Sequence, residues 1–249
     1  MKLTVLGSSA GAPTRINPAS GYLLEHGQTT VWVDAGTGTF MELAARVDPG
    51  QLDAVVLSHV HVDHASDLFG LYGYLAFGPS GQVPVPVYVT DGASDLFAGF
   101  ARATGEHVLH HVLDFNEVGS GDETTIGPVA VRFGSSKHAV PNNIVRFEVD
   151  GRVLVYTGDA GPSHELMEMA DGSDLFLCEA TLQGTRDAQT YPFHLTAEEA
   201  GEAAAWAGVD HLVLTHISHN LDPEQSIAEA SGRFAGRVSY AAPGTEFDV

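Results

Sequence analysis

The stretch SHVHVDH, residues 58–64, decides how this sequence is interpreted. It follows an apolar run and holds three histidines and one aspartate, with valines as the only spacers. In an extended segment His59 and His61 point to the same side, so two imidazoles can share one cation. Asp63 and His64 follow where the chain is expected to turn into a helix. Because they cannot easily face the same cation as the first pair, they indicate a second metal ion.

The alternative interpretation of this stretch is a solvated, polar strand end. Buried and unpaired imidazoles and carboxylates are costly, however, and a metal ion is the commonest way to satisfy such a cluster. A site for two metal ions also needs ligands from other parts of the chain, and each should lie at the end of a strand.

Three further residues meet this condition. His138 lies just beyond the predicted strand Val129–Phe133, Asp159 follows the second strand of a predicted hairpin, and His216 ends the run LVLTH. The runs LDAVVLSH and VDHLVLTH both stop at Ser/Thr-His, so two strands are expected to deliver histidines to the same edge. Asp159 has a competing role, since an aspartate after a strand often caps the following helix.

Short β-branched runs alternate with longer amphipathic ones, which favours a mixed sheet system with helices outside. The predicted strands are Leu3–Leu6, Tyr22–Glu25, Thr30–Asp34, Ala54–Leu57, Val85–Val89, Val108–Leu113, Val129–Phe133, Ile144–Val149, Val153–Tyr156, Leu175–Cys178, Leu212–Leu214 and Val238–Tyr240. The predicted helices are Thr39–Val47, Ser66–Phe77, Ala93–Thr104, Ser163–Met169, Ala197–Ala207 and Pro223–Phe234. Hairpin turns are predicted at EHGQT and at the Asp-Gly of EVDGRV.

Histidines outside these motifs are expected to have no part in the site. His107, His110 and His111 lie in EHVLHHV, which reads as an exposed strand, and His211 at a strand start reads as a surface residue. His219, three positions beyond His216, is placed at the mouth of the pocket.

The composition limits the class of protein. The chain has 249 residues with 32 acidic against 11 basic, a formal net charge of -21, which disfavours binding along a nucleic-acid backbone. Its one cysteine, Cys178, excludes an intramolecular disulfide and a cysteine-based zinc site. No composition break divides residues 1–249, and the apolar run at the start is too short for a signal peptide or a membrane span. A single domain in the cytoplasm, without membrane association, is expected.

HVHVDH, His138, TGDAG and LTH, in that order, resemble the metallo-β-lactamase superfamily of metal-dependent hydrolases over nearly the whole chain. The resemblance implies an α/β fold, the αββα four-layer sandwich with two mixed β-sheets and helices on the outer faces. It implies one metal ion held by His59, His61 and His138, another held by Asp63, His64 and His216, and Asp159 as the bridge between them. Asp34 would support the ligand loop from outside the ligand set. Zinc suits such a site, with manganese and iron as alternatives.

A second set of motifs indicates the branch of the family. CEATLQG (178–184) and His194-Leu195-Thr196 resemble the Glu-Ala-Thr and His-Ser-Thr motifs of ribonuclease Z and its phosphodiesterase relatives, although leucine replaces the serine. The resemblance implies a catalytic pair in which Glu179 orients His194, and His194 contacts the phosphoryl group or donates a proton to the leaving oxygen. Asp63 would hold both a metal ion and the proton of the nucleophile. A helix N-terminus with Thr196 as cap and Glu199 completing a capping box is an alternative that can hold at the same time.

The expected substrate is a small phosphodiester such as a cyclic nucleotide, with a metal-bridging hydroxide attacking phosphorus. The interval between His138 and Asp159 is filled by one hairpin and leaves no room for the basic arm with which ribonuclease Z proteins grip tRNA, so tRNA is not expected as a partner. The alternatives are an RNA-processing nuclease similar to ribonuclease Z, a carbon-ester hydrolase such as a lactonase or thioesterase, and a catalytically silent binding protein. Relatives of this kind are often dimers, so a homodimer is one possible state of this protein.

Overall fold

Two mixed β-sheets form the centre of the fold. The computed structural model describes residues 1–78, 83–103 and 109–249. The strands are β1 Lys2–Gly7, β2 Ser9–Ala10, β3 Gly21–His26, β4 Thr29–Val33, β5 Ala54–Val56, β6 Val85–Val89, β7 Leu113–Glu117, β8 Glu123–Ile126, β9 Val129–Ser135, β10 Asn143–Val149, β11 Arg152–Tyr156, β12 Leu175–Glu179, β13 His211–Thr215, β14 Ile217–Ser218, β15 Arg237–Tyr240 and β16 Glu246–Asp248. The helices are α1 Thr39–Ala44, α2 Val62–Ala65, α3 Leu68–Phe77, α4 Ala93–Ala103, α5 Leu109–Val112, α6 His164–Ala170, α7 Ala197–Ala207 and α8 Pro223–Ser231, with a 3-10 turn at Pro49–Gln51.

The two sheets have related topologies. The first sheet has the strand order β16-β1-β3-β4-β5-β6-β7, and the second has the order β15-β13-β12-β11-β10-β9-β8. Each sheet is antiparallel at one side and parallel at the other, from β4 to β7 in the first and from β11 to β15 in the second. Parallel strands end at the same edge of a sheet, which is where loops can carry functional side chains.

Three hydrophobic cores define four layers. The central core lies between the sheets and includes Tyr22 from the first and Tyr156 from the second. A second core lies between the first sheet and helices α1, α3 and α4, and a third lies between the other sheet and helices α6, α7 and α8. Helices therefore cover the outer face of each sheet, and the predicted αββα sandwich is confirmed.

Most predicted elements are present, including both hairpins and a helix at Ala197–Ala207. The strand predicted at Val108–Leu113 is wrong, because Leu109–Val112 forms helix α5 and the strand begins only at Leu113. Leu109 and Val112 are three residues apart and both contact the core beneath the helices, which is a helical spacing. Thr104, His107 and Val108 lie outside the described residues.

The surface position predicted for His211 is also wrong, since this residue is buried. Within the described ranges, no helix combines the length and the apolar character needed to cross a bilayer.

Candidate metal centre

The residues predicted as metal ligands meet at one end of the two sheets. The loop that holds His59 follows β5 of the first sheet, and His216 follows β13 of the second. The sequence suggested that the two Ser/Thr-His runs share an edge of one sheet. They do not, because β5 and β13 belong to different sheets. They deliver their histidines to a common end of the sandwich, from opposite sides of the central core.

The SHVHVDH stretch begins just after β5 has ended and enters helix α2 at its fifth residue, Val62. His61 is extended (φ -60°, ψ 150°) and precedes the first turn of α2, which carries Asp63 and His64. Val60 packs against the core under the helices, whereas Val62 is 71% exposed. The irregular backbone still brings Nε2 of His59 to 3.0 Å from Nδ1 of His61, so the prediction that these imidazoles face one point agrees with the geometry.

One cluster comprises His59, His61, His138 and Asp159, whose nearest ligand atoms all lie within 4.8 Å of one another. Nε2 of His138 lies 3.2 Å from Nδ1 of His61. Oδ2 of Asp159 lies 3.6 Å from Nε2 of His59 and 3.7 Å from Nε2 of His138. Three imidazoles and one carboxylate oxygen at such spacing can surround a single cation.

A second cluster comprises Asp63, His64 and His216. Nε2 of His216 lies 3.2 Å from Nε2 of His64 and 3.2 Å from Oδ2 of Asp63. Oδ1 of Asp159 lies 3.1 Å from Nε2 of His64 and 3.4 Å from Nε2 of His216. The two oxygens of Asp159 thus face different clusters, which is the geometry that a bridging carboxylate requires.

Hydrogen bonds to Nδ1, on the side of each imidazole that faces away from the clusters, indicate which ring nitrogen carries the hydrogen. Because the hydroxyl of Thr181 donates to Glu179, its oxygen accepts from the neighbouring histidine. Three histidines donate Nδ1–H away from the clusters: His64 to Oδ2 of Asp34 (2.7 Å), His138 to the carbonyl of Phe193 (3.2 Å) and His216 to Oγ1 of Thr181 (2.8 Å). When these rings are neutral, their Nε2 atoms carry lone pairs that point into the clusters, as in metal-binding histidines.

These lone pairs and the nearby carboxylate oxygens lack a positively charged or donor partner, and a divalent cation can supply one. While both rings are neutral, the Nε2 acceptors of His64 and His216 lie 3.2 Å apart and cannot satisfy each other. Oδ1 of Asp159 is buried and has no hydrogen-bond donor among the described residues. Without a cation, the burial of His64 is outweighed by the charges of Asp159 and Asp34, which raise its pKa well above the usual value, so that this ring takes up a proton on Nε2 instead. A metal ion at this point would replace that proton on the ring nitrogen.

His59 and Asp159 are also in the forms that metal ions bind. Burial, reinforced by the charge of His64, lowers the pKa of His59 well below its usual value and keeps the ring neutral. Burial opposes ionisation of Asp159, but His216, His64 and His59 outweigh it and hold its pKa well below the usual range. Neutral imidazole and ionised carboxylate suit zinc, manganese and iron alike.

The predicted catalytic pair lies beside the second cluster. Nδ1 of His194 is 2.8 Å from Oε1 of Glu179, the last residue of β12. Both carboxylate oxygens of Glu179 are fixed by donors from the neighbouring loops: Ala160 N (2.8 Å), Thr181 N (3.0 Å), Thr181 Oγ1 (2.7 Å) and Leu195 N (3.2 Å). Glu179 is fully buried, so the imidazole of His194 is held against a fixed negative charge.

Helix capping was the alternative role considered for the segment after His194 and for Asp159, and it is present only in the first case. Thr196 and Glu199 do form the capping box of α7, two residues after His194, so the cap and the Glu179 contact coexist. Asp159 does not cap the following helix, because Ser163 takes that role in α6.

A cavity of about 310 Å³ opens over the second cluster. Its walls include Asp63, Asp159, His194 and His216, together with His219, which agrees with the position predicted for that histidine. The carboxylate Oδ2 of Asp63 accepts a hydrogen bond from the backbone N–H of Gly11 at 2.7 Å.

Thr181, Gly11 and Asn220 are among the residues at this cavity that were not singled out from the sequence. Thr181 could have been identified from its place in the Glu-Ala-Thr motif. Gly11 is brought to the site by the two-residue pairing of β2 with β14, for which the sequence carries no signal. Asn220 lies at the cavity because the chain after His216 turns across its mouth, and nothing in the sequence marks it.

Comparison with known proteins identifies the family. The sequence model of the beta-lactamase superfamily domain matches residues 29–217. An uncharacterized protein of Mycobacterium leprae is 33% identical over 256 residues, which cover 100% of this chain and 89% of the relative. The probable metallo-hydrolase YhfI of Bacillus subtilis is 30% identical, with 98% of both chains covered. A ribonuclease Z of Mycolicibacterium paratuberculosis is 31% identical and covers 96% of this chain and 94% of its own.

Solved structures agree with this assignment. The crystal structure of Bacillus subtilis YhfI superposes with a TM-score of 0.89 at 27% identity, covering 99% of each chain. A diphosphatase from the PhnP family (TM-score 0.79, 19% identity, coverage 100% and 97%) and yeast PDE1 (0.80, 13%, coverage 100% and 99%) share the fold. The match to the family over most of the chain, the similarity to a named metallo-hydrolase and the two histidine–aspartate clusters lead to one conclusion: this chain belongs to the metallo-β-lactamase superfamily and is a metallo-hydrolase.

Proposed function

We propose that the protein is a phosphodiesterase that acts on a small phosphodiester such as a cyclic nucleotide. The single observation that carries this proposal is the contact of 2.8 Å between His194 and Glu179 at the edge of the cavity that Asp63, Asp159 and His216 also line. An imidazole held by a buried carboxylate beside a cation site is suited to reactions in which an oxygen leaves with negative charge.

The proposed metal ligands are the seven residues of the two clusters. His59, His61 and His138 would hold one divalent cation, Asp63, His64 and His216 a second, and Asp159 both. Bound divalent cations supply neutralisation of phosphate charge and acidification of water. Zinc is proposed, because a site rich in imidazole with a bridging carboxylate suits it.

His194 is proposed as the residue that protonates the leaving oxygen. Burial lowers its pKa, but the hydrogen bond and the charge of Glu179 outweigh burial and raise it. The ring of His194 therefore stays protonated to a higher pH than the ring of a free histidine does. Since Glu179 and Thr181 occupy the side of Nδ1, the proton available to a substrate is the one on Nε2.

Asp63 is proposed to hold the proton of the nucleophile in addition to a cation. Its Oδ2 accepts from the N–H of Gly11 and lies 3.2 Å from Nε2 of His216. Burial opposes ionisation of this carboxyl, but His216 and His64 lower its pKa, so that it is an acceptor at neutral pH. The N–H of Gly11 fixes the orientation of the carboxylate toward the cavity.

The size and charge of the protein favour a small substrate. The interval between His138 and Asp159 is occupied by the hairpin of β10 and β11, and the cavity measures about 310 Å³. A formal net charge of -21 opposes the approach of a long polyanion. We propose in addition that residues 1–249 act as one hydrolase domain, which the core shared by both sheets supports.

A ribonuclease Z-like nuclease is the second candidate, supported by the relatives that carry this name. A lactonase or thioesterase on the same fold is the rival reaction class. The discriminating experiment compares hydrolysis of bis(p-nitrophenyl) phosphate, cyclic AMP, a precursor tRNA and a lactone by protein loaded with zinc or manganese. Turnover of the first two with none of the last two is expected.

The matched variants are His194→Ala and His164→Ala, since His164 is exposed on α6. We expect His194→Ala to lose on the order of 10²- to 10⁴-fold in kcat for phosphodiesters with unchanged metal content, and His164→Ala to behave as the parent protein. Normal turnover by His194→Ala would refute the phosphodiesterase assignment.

A further inference from the structure

A second cavity adjoins the one over the metal clusters. It measures about 480 Å³ and is formed by the loop that begins at Leu182 and by the segment that follows His216. Ser218 and Asn220 line both cavities, so the two cavities are adjacent. We call it the side cavity.

The walls of the side cavity carry almost no charge. Among its described lining residues only Asp187 is ionisable to an anion, and none is a lysine or an arginine. The Asp187 carboxylate is engaged within its own turn, where it accepts from the N–H of Gln189 (2.9 Å) and the hydroxyl of Thr190 (3.0 Å). A second phosphate or an extended polyanion would find no counter-charge here.

The side cavity instead offers an aromatic face and unused amide groups. Tyr191 is 50% exposed, and its ring centroid lies 5.6 Å from that of His194. The side-chain amides of Gln189 and Asn220 form no hydrogen bond with any residue in the described ranges, so their donors and acceptors are available to a ligand. The amide of Gln183, by contrast, is already bonded to the N-terminal end of α8.

We infer that the side cavity binds the nucleobase of a nucleotide whose phosphate lies in the cavity over the metal clusters. A nucleobase is flat and uncharged, stacks on aromatic rings and pairs donors and acceptors with carboxamides. This inference rests on the proposed function and deepens it, because it assigns the substrate to the nucleotides. Tyr191 supplies the stacking surface, and the amides of Gln189 and Asn220 supply hydrogen bonds.

Calorimetric binding to the metal-loaded protein tests the inference without relying on turnover. The two ligands are AMP and ribose 5-phosphate, which share the sugar phosphate and differ by the base. We expect AMP to bind about tenfold more tightly, since base–aromatic stacking contributes about 1–3 kcal/mol. Tyr191→Ala should remove most of this preference, and Tyr191→Phe, which keeps the ring, should retain it.

The control variant is Tyr74→Ala, because Tyr74 is a partly exposed tyrosine on α3 that does not line either cavity. It should preserve the AMP preference in full. Equal affinities of the parent protein for AMP and ribose 5-phosphate would overturn the inference, and so would equal weakening of both ligands by Tyr191→Ala. A clear preference for AMP in a protein that hydrolyses no phosphodiester would support the side cavity and refute the proposed reaction.

Discussion

Nδ1 of His64 lies 2.7 Å from Oδ2 of Asp34, and both side chains are fully buried between the sheets and the metal clusters. The same carboxylate accepts from the N–H and the hydroxyl of Ser58 at 2.7 and 2.8 Å and from the hydroxyl of Tyr156 at 2.6 Å. Asp34 therefore links the core to the histidine that closes the second cluster. Its role as a support of the ligand loop, expected from the resemblance, agrees with this geometry.

The first prediction concerns Tyr156, which reaches the clusters only through Asp34. Tyr156→Phe removes one donor from a buried carboxylate, so the free energy of unfolding should fall by about 1–3 kcal/mol. Because Asp34 orients His64, the affinity for a divalent cation should fall by about tenfold. Chelator competition with zinc measures the affinity, and urea unfolding measures the stability.

Tyr22→Phe is the matched control for Tyr156→Phe. Tyr22 is equally buried, packs edge-on against Tyr156 and bonds at 2.6 Å to Thr215 instead of Asp34. It should lose comparable stability and keep its affinity for zinc. Equal losses of zinc affinity in both variants would show that Tyr156 does not act through Asp34.

The second prediction concerns Thr181, whose hydroxyl joins the proposed catalytic pair to His216, a proposed metal ligand. It donates to Oε2 of Glu179 at 2.7 Å and accepts from Nδ1 of His216 at 2.8 Å. Thr181→Val keeps the shape and removes both bonds, so zinc affinity should fall by about 10- to 100-fold. Thr181→Ser restores the hydroxyl and should stay within a few-fold of the parent protein. A serine variant as impaired as the valine variant would point to packing of the methyl group instead.

The positions of the candidate ligands could be predicted because each follows the end of a strand. SHVHVDH, His138, Asp159 and His216 all stand where an apolar run stops, and strand ends are visible in a single sequence. The resemblance to the family implied that Asp159 bridges two metal ions, with one oxygen facing each cluster. The local sequence pattern did not imply this. It depends on where two separate sheets place their loops.

Features that depend on long-range pairing could not be predicted. The runs ending at His59 and His216 look like strands of one sheet, but sheet membership is set by pairings among strands far apart in the chain. The pairing of β2 with β14 covers only two residues in each strand, which is too short to leave a periodic pattern. Helix α5 has four residues, and a helix this short is not distinguished from a strand by its apolar positions.

The third prediction concerns Arg186, which fastens the loop between Glu179 and His194. Its guanidinium donates to the carbonyls of Tyr191 and His194 and to the carboxylate of Glu199. Arg186→Met should loosen this loop and misplace His194, lowering kcat for a phosphodiester by on the order of tenfold or more. Limited proteolysis should cut the loop faster.

Arg152→Met serves as the control for Arg186→Met, since Arg152 is exposed and pairs with Asp174 away from the site. Arg152→Met should change the free energy of unfolding by about 1 kcal/mol or less, because an exposed ion pair contributes little. If kcat and cleavage of the loop are unchanged in Arg186→Met, the loop is held by other contacts.

The last prediction concerns the pH dependence of stability and rests on His211. This residue begins β13, at the end of the strand opposite to the one that His216 follows. Burial, together with the charge of Arg237, lowers the pKa of His211 to about 4. Its Nε2 lies 2.9 Å from the hydroxyl of Ser239, and the ring packs against Phe247. The unfolded chain takes up a proton near pH 6.5, whereas the folded protein does so only near pH 4. Stability from His211 is therefore full above pH 6.5 and is lost as the pH falls toward 4.

His211→Gln removes this titration and keeps a hydrogen-bonding group. Urea unfolding at pH 8, 6.5 and 5 should show that the free energy of unfolding falls less steeply in the variant than in the parent protein. The difference in slope should correspond to on the order of 1–2 kcal/mol between pH 6.5 and 5, since one pKa unit equals about 1.4 kcal/mol. His164→Gln, at an exposed position on α6, should leave the slope unchanged. Parallel curves for the parent and His211→Gln would mean that the pKa of His211 is not lowered in the folded protein.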